Sequence, residues 1–240
     1  VVAEQFGTLA TLYPGRIDLG LGRAPGTDPY TARALRRERA GSDDDFPEDV
    51  AELQALLGPR QPGQRVIAMP GTEVPLWLLG SSLYSAQLAG LLGLPYAFAS
   101  HFAPRYLHEE LRVYREHFQP SAVLDKPYTM IGVPLVAAPS DAEADYLATT
   151  NYQRVLGLIR GETRVLRPPV RSMAGLWQPH EQEAVGNFLG LAVIGGPEKV
   201  RARLETLLAQ TGADELIFTC DLYEPADRLR AFDIVAGLRG

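Results

Sequence analysis

The chain has 240 residues, of which 46% are hydrophobic and 22% are charged, and its formal net charge is −6. These values are typical of one globular domain with a sizeable core, here expected over residues 1–240. The negative charge argues against nucleic-acid binding, since phosphate backbones require a concentrated positive surface. A single cysteine, Cys220, excludes an internal disulfide and indicates a reducing, cytoplasmic location. No apolar run has membrane-spanning length, and no residues have metal-ligand spacing.

Helical and strand-like patterns alternate along the chain. Apolar runs predict five strands, at 16–22, 74–80, 95–100, 129–138 and 216–219. Spaced apolar residues predict helices at about 1–12, 46–57, 82–92, 104–117, 140–160, 180–189, 197–210 and 226–236. Because a helix follows each strand, we expect an α/β fold with a parallel sheet. An open doubly wound sheet and part of a (β/α)8 barrel both fit this order.

The first predicted strand ends at a glycine and an arginine, followed by a turn. Gly22 allows a ligand to approach the backbone closely, and Arg23 offers a forked, permanently charged donor for a phosphate. Ala24 continues the turn. The pattern therefore favours an anionic cofactor at the carboxyl end of the sheet. An ion pair of Arg23 with Asp18 or Asp28 is the alternative.

A serine-rich turn joins the second predicted strand to its helix and contains Gly80, Ser81, Ser82, Tyr84 and Ser85. The first N–H groups and the dipole of a helix attract anions at such a turn. Two of the hydroxyls lie one helical turn apart and could add hydrogen bonds. Together with Arg23 this turn predicts a phosphate site, although one of the serines could instead serve as a helix cap.

His101 follows the third predicted strand, so a barrel would place it at the same mouth as Arg23 and Ser82. It is the candidate catalytic residue, and a purely structural histidine is the alternative. No residue has the setting of an activated nucleophile, and Cys220 fits a small strand residue better. We therefore expect a cofactor to perform the reaction.

Several segments together resemble the bacterial-luciferase-like flavin monooxygenases, and the resemblance covers essentially the whole chain. The segments are AEQFGTL at 3–9, YPGRIDLGLGRAPG at 13–26, WLLGSS at 77–82, GLPYAFASHF at 93–102 and GGPEKV at 195–200.

The resemblance implies a (β/α)8 TIM barrel that holds FMN, or the deazaflavin F420 in a sister branch, at the mouth formed by the strands' carboxyl ends. In this family the arginine after the fourth strand and the serine turn after the next strand hold the flavin phosphate. The positions of this sequence that match the family's cofactor-binding residues are Gly22, Arg23, Ala24, Gly80, Ser81, Ser82, Tyr84 and Ser85. His101 falls where the family lines its flavin and substrate pocket.

The implied reaction uses reduced FMN and dioxygen to oxygenate a small organic substrate. The flavin would come from a separate NAD(P)H:flavin reductase, and the protein could form a homodimer. An F420-dependent hydride-transfer enzyme and a non-catalytic flavin-binding protein are the alternatives. The first predicted helix corresponds to the third helix of the barrel. We therefore expect that three N-terminal βα units, on the order of 90 residues, are missing from this sequence.

Overall fold

The computed structural model describes residues 1–23, 45–60, 62–65, 71–162 and 165–238. Their contacts form two compact units. Unit 1 comprises Val1–Ala97 and Arg112–Tyr128, and unit 2 comprises Phe98–Leu111 and Thr129–Gly240. The expectation of one domain over 1–240 stays a prediction. Of the helices in the described ranges, none combines the length and the apolar character needed to cross a membrane.

Helices and strands alternate in the predicted order. The strands are β1 (Leu19–Leu21), β2 (Leu76–Gly80), β3 (Tyr96–Phe98), β4 (Thr129–Ala137), β5 (Val193–Gly195) and β6 (Glu215–Thr219). The helices are α1 (Val2–Leu12), α2 (Phe46–Leu57), α3 (Leu83–Leu91), α4 (Leu107–His117), α5 (Asp141–Ile159), α6 (Pro179–Phe188), α7 (Pro197–Thr211) and α8 (Pro225–Gly237). A 3-10 turn, Pro104–Tyr106, precedes α4.

The structure adds one strand to the five that the sequence predicts. Strand β5 has three residues, and it pairs in parallel with the end of β4, where Leu135 lies opposite Val193. The sequence pattern did not separate this short segment from the helix end that precedes it, and its pairing with β4 identifies it as a strand.

Unit 1 contains a parallel sheet in which β2 is central. Leu19 of β1 lies opposite Leu76, and Leu21 lies opposite Leu78. On the other side of β2, the Leu78 amide donates a hydrogen bond of 3.0 Å to the Pro95 carbonyl oxygen at the start of β3. The two ladders leave the carboxyl ends of β1 and β2 side by side.

Apolar side chains from both helices and strands form the core of unit 1. Its buried members are Ala3, Leu19, Leu57, Val74 and Leu76, and partly buried side chains from α1 and α2 pack against them. Burial of a large aliphatic side chain contributes about 1.5–3 kcal/mol, so this cluster fixes α1 and α2 on β1 and β2.

Strand β4 organises unit 2. Its first half, Met130–Pro134, pairs in parallel with all of β6, and its last three residues pair with β5. The Asp214 carboxylate accepts a hydrogen bond of 2.8 Å from the Thr129 amide, and the Asp214 amide donates one of 3.0 Å to the Thr129 carbonyl oxygen. This reciprocal pair fixes the starting register of β4 against β6.

Helix α5 begins at the predicted serine cap. The Ser140 hydroxyl accepts a hydrogen bond of 3.2 Å from the Glu143 amide, which satisfies one of the free N–H groups of the first turn. One residue later, the Asp141 carboxylate accepts a hydrogen bond of 2.7 Å from the Gly196 amide. The start of α5 is thereby tied to the turn that follows β5.

A partly exposed ion pair joins the C-terminal end of α5 to the first turn of α6. Arg160 donates two hydrogen bonds to Glu181, from Nε to Oε1 at 2.7 Å and from Nη2 to Oε2 at 2.8 Å. The Gln178 amide donates a third, of 2.7 Å, to Glu181. The Arg160 hydrogen bonds, followed by the Gln178 amide, lower the pKa of Glu181 to about 2 from an ordinary value of 4.5.

We predict that Glu181→Gln lowers thermal stability at neutral pH and removes the part of that stability that is lost in acid when Glu181 is protonated. A carboxylate whose folded pKa is depressed stabilises the protein above its unfolded pKa, and this stabilisation is lost as pH falls toward about 2. At neutral pH the variant should melt at a lower temperature than the wild type. The difference should shrink below pH 4.5 in thermal melts followed by circular dichroism.

Glu183→Gln is the matched control, because Glu183 is exposed on the same helix. It should melt like the wild type at every pH. If the Glu181→Gln variant keeps a constant difference from the wild type down to pH 2, the ion pair does not have the role assigned to it.

Candidate functional site

The first part of the candidate site is the end of β1. Gly22 follows the strand and is exposed. A Cβ atom added there would lie 3.6 Å from the Leu79 carbonyl oxygen and 3.7 Å from Leu79 Cβ, which are ordinary contact distances. The surrounding protein therefore does not demand glycine, and the exposed backbone is open to close approach by a ligand. Ala24 and Asp28 lie outside the described residues.

Arg23 contacts the first turn of α3. Its guanidinium carbon lies 4.3 Å from the centre of the Tyr84 ring, within the range of a cation–π interaction. Since both residues are half-buried, the contact restricts the rotamers of a long side chain. The guanidinium N–H donors lie in the plane of the group, where they can bond a phosphate in a forked arrangement.

Two hydroxyls meet at the start of α3. Ser82 occupies the N-cap position, as the capping alternative requires, yet its side chain makes no capping hydrogen bond. Instead, Ser82 Oγ and Ser85 Oγ lie 3.1 Å apart and share a hydrogen bond. Each hydroxyl has further donor or acceptor capacity, so the pair can bond an oxygen of a bound anion.

Gly80 makes room for this hydroxyl pair. A Cβ atom at Gly80, the last residue of β2, would lie 2.3 Å from both Cβ and Oγ of Ser85. Only glycine therefore lets the Ser85 side chain lie over the strand end. Ser81 is half-buried in the turn between Gly80 and Ser82.

The electrostatics of this turn favour an anion. The first turn of α3 contains no acidic residue, so the positive end of its dipole is not neutralised from within the helix. Tyr84 lies on this first turn, and Arg23 places a permanent positive charge beside its ring. The structure thus brings together Arg23, Gly80, Ser82, Tyr84 and Ser85 in unit 1, with the donors that a phosphate requires.

His101 belongs to unit 2 and lies against β4. A Cβ atom at Gly132 would come within 2.6 Å of His101 Nδ1, so glycine at this strand position creates the space for the imidazole. The Ser100 hydroxyl donates a hydrogen bond to the Gly132 carbonyl oxygen. The Phe102 ring also lies against the imidazole, with the two ring centres 4.1 Å apart.

Burial lowers the pKa of His101 below its ordinary value of 6.5, and this effect exceeds the opposing influence of Asp221. Arg154 lowers the pKa further. Nδ1 is buried and has no hydrogen-bond partner within the described residues. The imidazole is therefore neutral at physiological pH, the state in which it can accept a proton.

Arg154 and Asp221 are neighbours of His101 that the sequence analysis missed. Arg154 Nη2 and Asp221 Oδ2 form an ion pair at 3.2 Å. Asp221 follows β6 as His101 follows β3, so the rule that drew attention to His101 could have identified it. Arg154 lies within α5, and no signal in the sequence distinguishes it from an ordinary surface arginine.

Cys220 lies directly after β6 and is half-buried. Burial raises the pKa of its thiol to about 11. Because the thiol is protonated at neutral pH, it is a poor nucleophile, in agreement with the interpretation from sequence.

Comparisons with known proteins identify the same family by sequence and by structure. The family described as luciferase-like monooxygenase matches residues 1–215. YvbT, an uncharacterized protein of Bacillus subtilis, is 52% identical over 239 residues, which are 98% of this chain and 71% of YvbT. A luciferase-like monooxygenase of Escherichia coli K12 is 49% identical over 241 residues, covering 100% of this chain and 72% of its own.

Solved structures confirm the expected α/β fold of the luciferase-like barrel type. The crystal structure of apo-MsnO8 is 34% identical and has a TM-score of 0.88, over 99% of this chain and 72% of the other.

Two more distant structures share the fold alone. A type II Baeyer–Villiger monooxygenase of Pseudomonas putida in complex with FMN is 17% identical, with a TM-score of 0.66 over 98% of this chain and 73% of its own. An F420-dependent secondary alcohol dehydrogenase with an F420–acetone adduct is 16% identical, with a TM-score of 0.68 over 100% and 74%.

We predict that His101→Gln makes stability less sensitive to mild acid. The folded pKa of His101 lies below its unfolded value, so below pH 6.5 the unfolded chain binds a proton that the folded chain does not. The free energy of unfolding of the wild type should therefore fall as pH decreases through 6.5. The variant should show a shallower slope in urea unfolding measured at several pH values.

His108→Gln, at an exposed position of α4, is the control and should keep the wild-type slope. Equal slopes for the wild type and the His101→Gln variant would contradict a buried, neutral His101.

Proposed function

Because this chain belongs to the luciferase-like monooxygenase family, we propose that it is an FMN-dependent monooxygenase. The FMN phosphate binds to Arg23 and to the hydroxyl pair of Ser82 and Ser85. The observation that carries this proposal is the position of the Arg23 guanidinium over Tyr84, on the helix turn that bears both hydroxyls.

The donors at this turn fit a phosphate in number and in charge. Arg23 supplies a forked cation, the two hydroxyls supply hydrogen bonds, and the N-terminus of α3 supplies backbone N–H groups. Gly22 leaves the backbone accessible beside them. The fold neighbour from Pseudomonas putida binds FMN, which supports this choice of cofactor.

Reduced FMN, when bound, supplies the electrons with which dioxygen is activated to oxygenate a small organic substrate. The contribution of the protein begins with binding, because a phosphate held at several points fixes the position of the whole cofactor. A separate NAD(P)H:flavin reductase is the proposed source of the reduced flavin. A homodimer and a cytoplasmic location also stay predictions.

His101 is the proposed proton-transfer residue. Its ring lies against the Gly132 backbone and Phe102, and burial keeps it neutral. A neutral imidazole can take a proton from an oxygen of a bound organic molecule and return it later. The two members of the Arg154–Asp221 ion pair shift its pKa in opposite directions, since Asp221 raises it and Arg154 lowers it.

An F420-dependent oxidoreductase is the alternative, since an F420-dependent alcohol dehydrogenase shares the fold equally well. The two functions differ in cofactor preference. Titration with both cofactors therefore decides between them.

We predict that Arg23→Ala weakens FMN binding while leaving riboflavin binding unchanged, because riboflavin lacks the phosphate. A hydrogen bond to a charged group contributes about 1.5–3 kcal/mol, so the dissociation constant for FMN should rise roughly 10- to 100-fold. Ser82→Ala combined with Ser85→Ala should have a smaller effect of the same kind. Quenching of flavin fluorescence measures each constant.

Arg16→Ala is the matched control, because Arg16 is an exposed arginine of the same unit whose guanidinium lies near Tyr13. It should bind FMN as the wild type does. Equal losses for FMN and riboflavin would show that Arg23 has only a structural role. Preference for F420 would favour the hydride-transfer alternative, and tight FMN binding without substrate-dependent oxygen uptake would favour a non-catalytic flavoprotein.

A further inference from the structure

The structure points to a second ligand site, within unit 2, and we propose that it binds an apolar organic carboxylate. The site is a groove between the segment Phe102–Tyr106 and the end of α6, and we call it the Arg105 groove. Binding of the carboxylate does not depend on the proposed monooxygenase function. Only the identification of this carboxylate as the substrate rests on that function.

The Arg105 groove has the size and lining of a small-molecule site. Its volume is about 680 Å³, which lies in the range of about 300–1,000 Å³ that is common for such sites. Phe102, Tyr106 and Phe188 supply aromatic surface, and Asn187 supplies an amide. Phe102 is 62% exposed, so its ring surface is accessible to a ligand in the groove.

The charge of the groove selects an anion. Arg105 is the one charged residue among the described residues that line it. Its guanidinium lies 4.5 Å from the centre of the Tyr106 ring, and within the described ranges it forms no ion pair with a carboxylate. A cleft with aromatic lining and a single arginine complements a molecule that has one acidic group and a hydrophobic body.

Gly186 leaves the helix backbone open where α6 lines the groove. It lies within α6, where glycine is a poorer helix former than alanine. A Cβ atom added at Gly186 would meet no neighbouring atom within 4 Å, so packing of the protein does not require glycine. Gly186 is exposed and is one of the residues that line the groove. Glycine here allows a flat ligand to lie against the helix backbone.

The groove borders the candidate catalytic residue. The ring of Phe102, which lines the groove, lies 4.1 Å from that of His101, centre to centre. A carboxylate ligand anchored at Arg105 would therefore place its apolar body on Phe102, next to the imidazole. This proximity is the reason for identifying the ligand with the substrate of the proposed reaction.

The test uses the full chain without flavin and two fluorinated probes of the same shape. These are 4-(trifluoromethyl)phenylacetate and the corresponding neutral amide, and their binding is followed by fluorine NMR. The wild type should bind the carboxylate about tenfold more tightly than the amide. Arg105→Gln should abolish this preference and leave the amide unchanged. Arg171→Gln, at an exposed arginine of unit 2, should retain it.

A second pair of variants tests the shape of the groove. Gly186→Leu should weaken both probes by about tenfold or more, because its side chain occupies the open space. Gly186→Ala should melt at the same or a higher temperature, because alanine favours the helix. A structural role for Gly186 predicts the opposite, namely a loss of thermal stability in both variants.

The proposal is overturned if the wild type binds neither probe, or if Arg105→Gln leaves carboxylate affinity unchanged. It is also overturned if a folded Gly186→Leu variant binds as the wild type does. Should that variant fail to fold, the Arg105→Gln result decides. FMN titration of the same proteins is a separate measurement, so failure of the flavin proposal and failure of the groove proposal give different results.

Discussion

The parallel register between β1 and β2 is the constraint on which the proposed phosphate site depends. With Leu21 opposite Leu78, the residues that follow β1 lie beside the residues that end β2. Arg23 can then reach Tyr84, while Gly80 leaves space for Ser85. A slip of one residue would turn the side chains of β1 to the opposite face and would separate the cation from the hydroxyls. The arrangement of the proposed binding residues is therefore a consequence of strand pairing.

Strand β4 has the corresponding role in unit 2. It is buried almost throughout and pairs with β6 along its first half and with β5 at its end. One of its residues, Gly132, lacks the side chain that would otherwise occupy the position of the His101 ring. The same packing removes the imidazole from water and so lowers its pKa. The scaffold therefore sets both the place of His101 and its protonation state.

Some glycines of this protein are required by the packing around them and others are not. At Gly80 and Gly132 an added Cβ atom would clash with a specific side chain, so the protein itself explains the glycine. At Gly186 the added atom would meet nothing, and this residue lines the Arg105 groove. Packing of the protein therefore does not account for glycine at this helix position, where alanine would favour the helix.

Local sequence determined the order and type of most elements. Apolar runs, prolines and the Ser140 cap act over a few residues, so the strands and helices could be predicted with shifted ends. The positions of Gly22, Arg23 and the serine turn at strand ends could be predicted for the same reason, as could the place of His101 after β3.

Tertiary structure alone decided the contacts between residues distant in the chain. The stacking of Arg23 on Tyr84, strand β5 and the Arg105 groove all belong to this class. These contacts depend on how packed elements approach one another. Local propensity carries no information about that approach, because the free energy that fixes it comes from burial across the whole core.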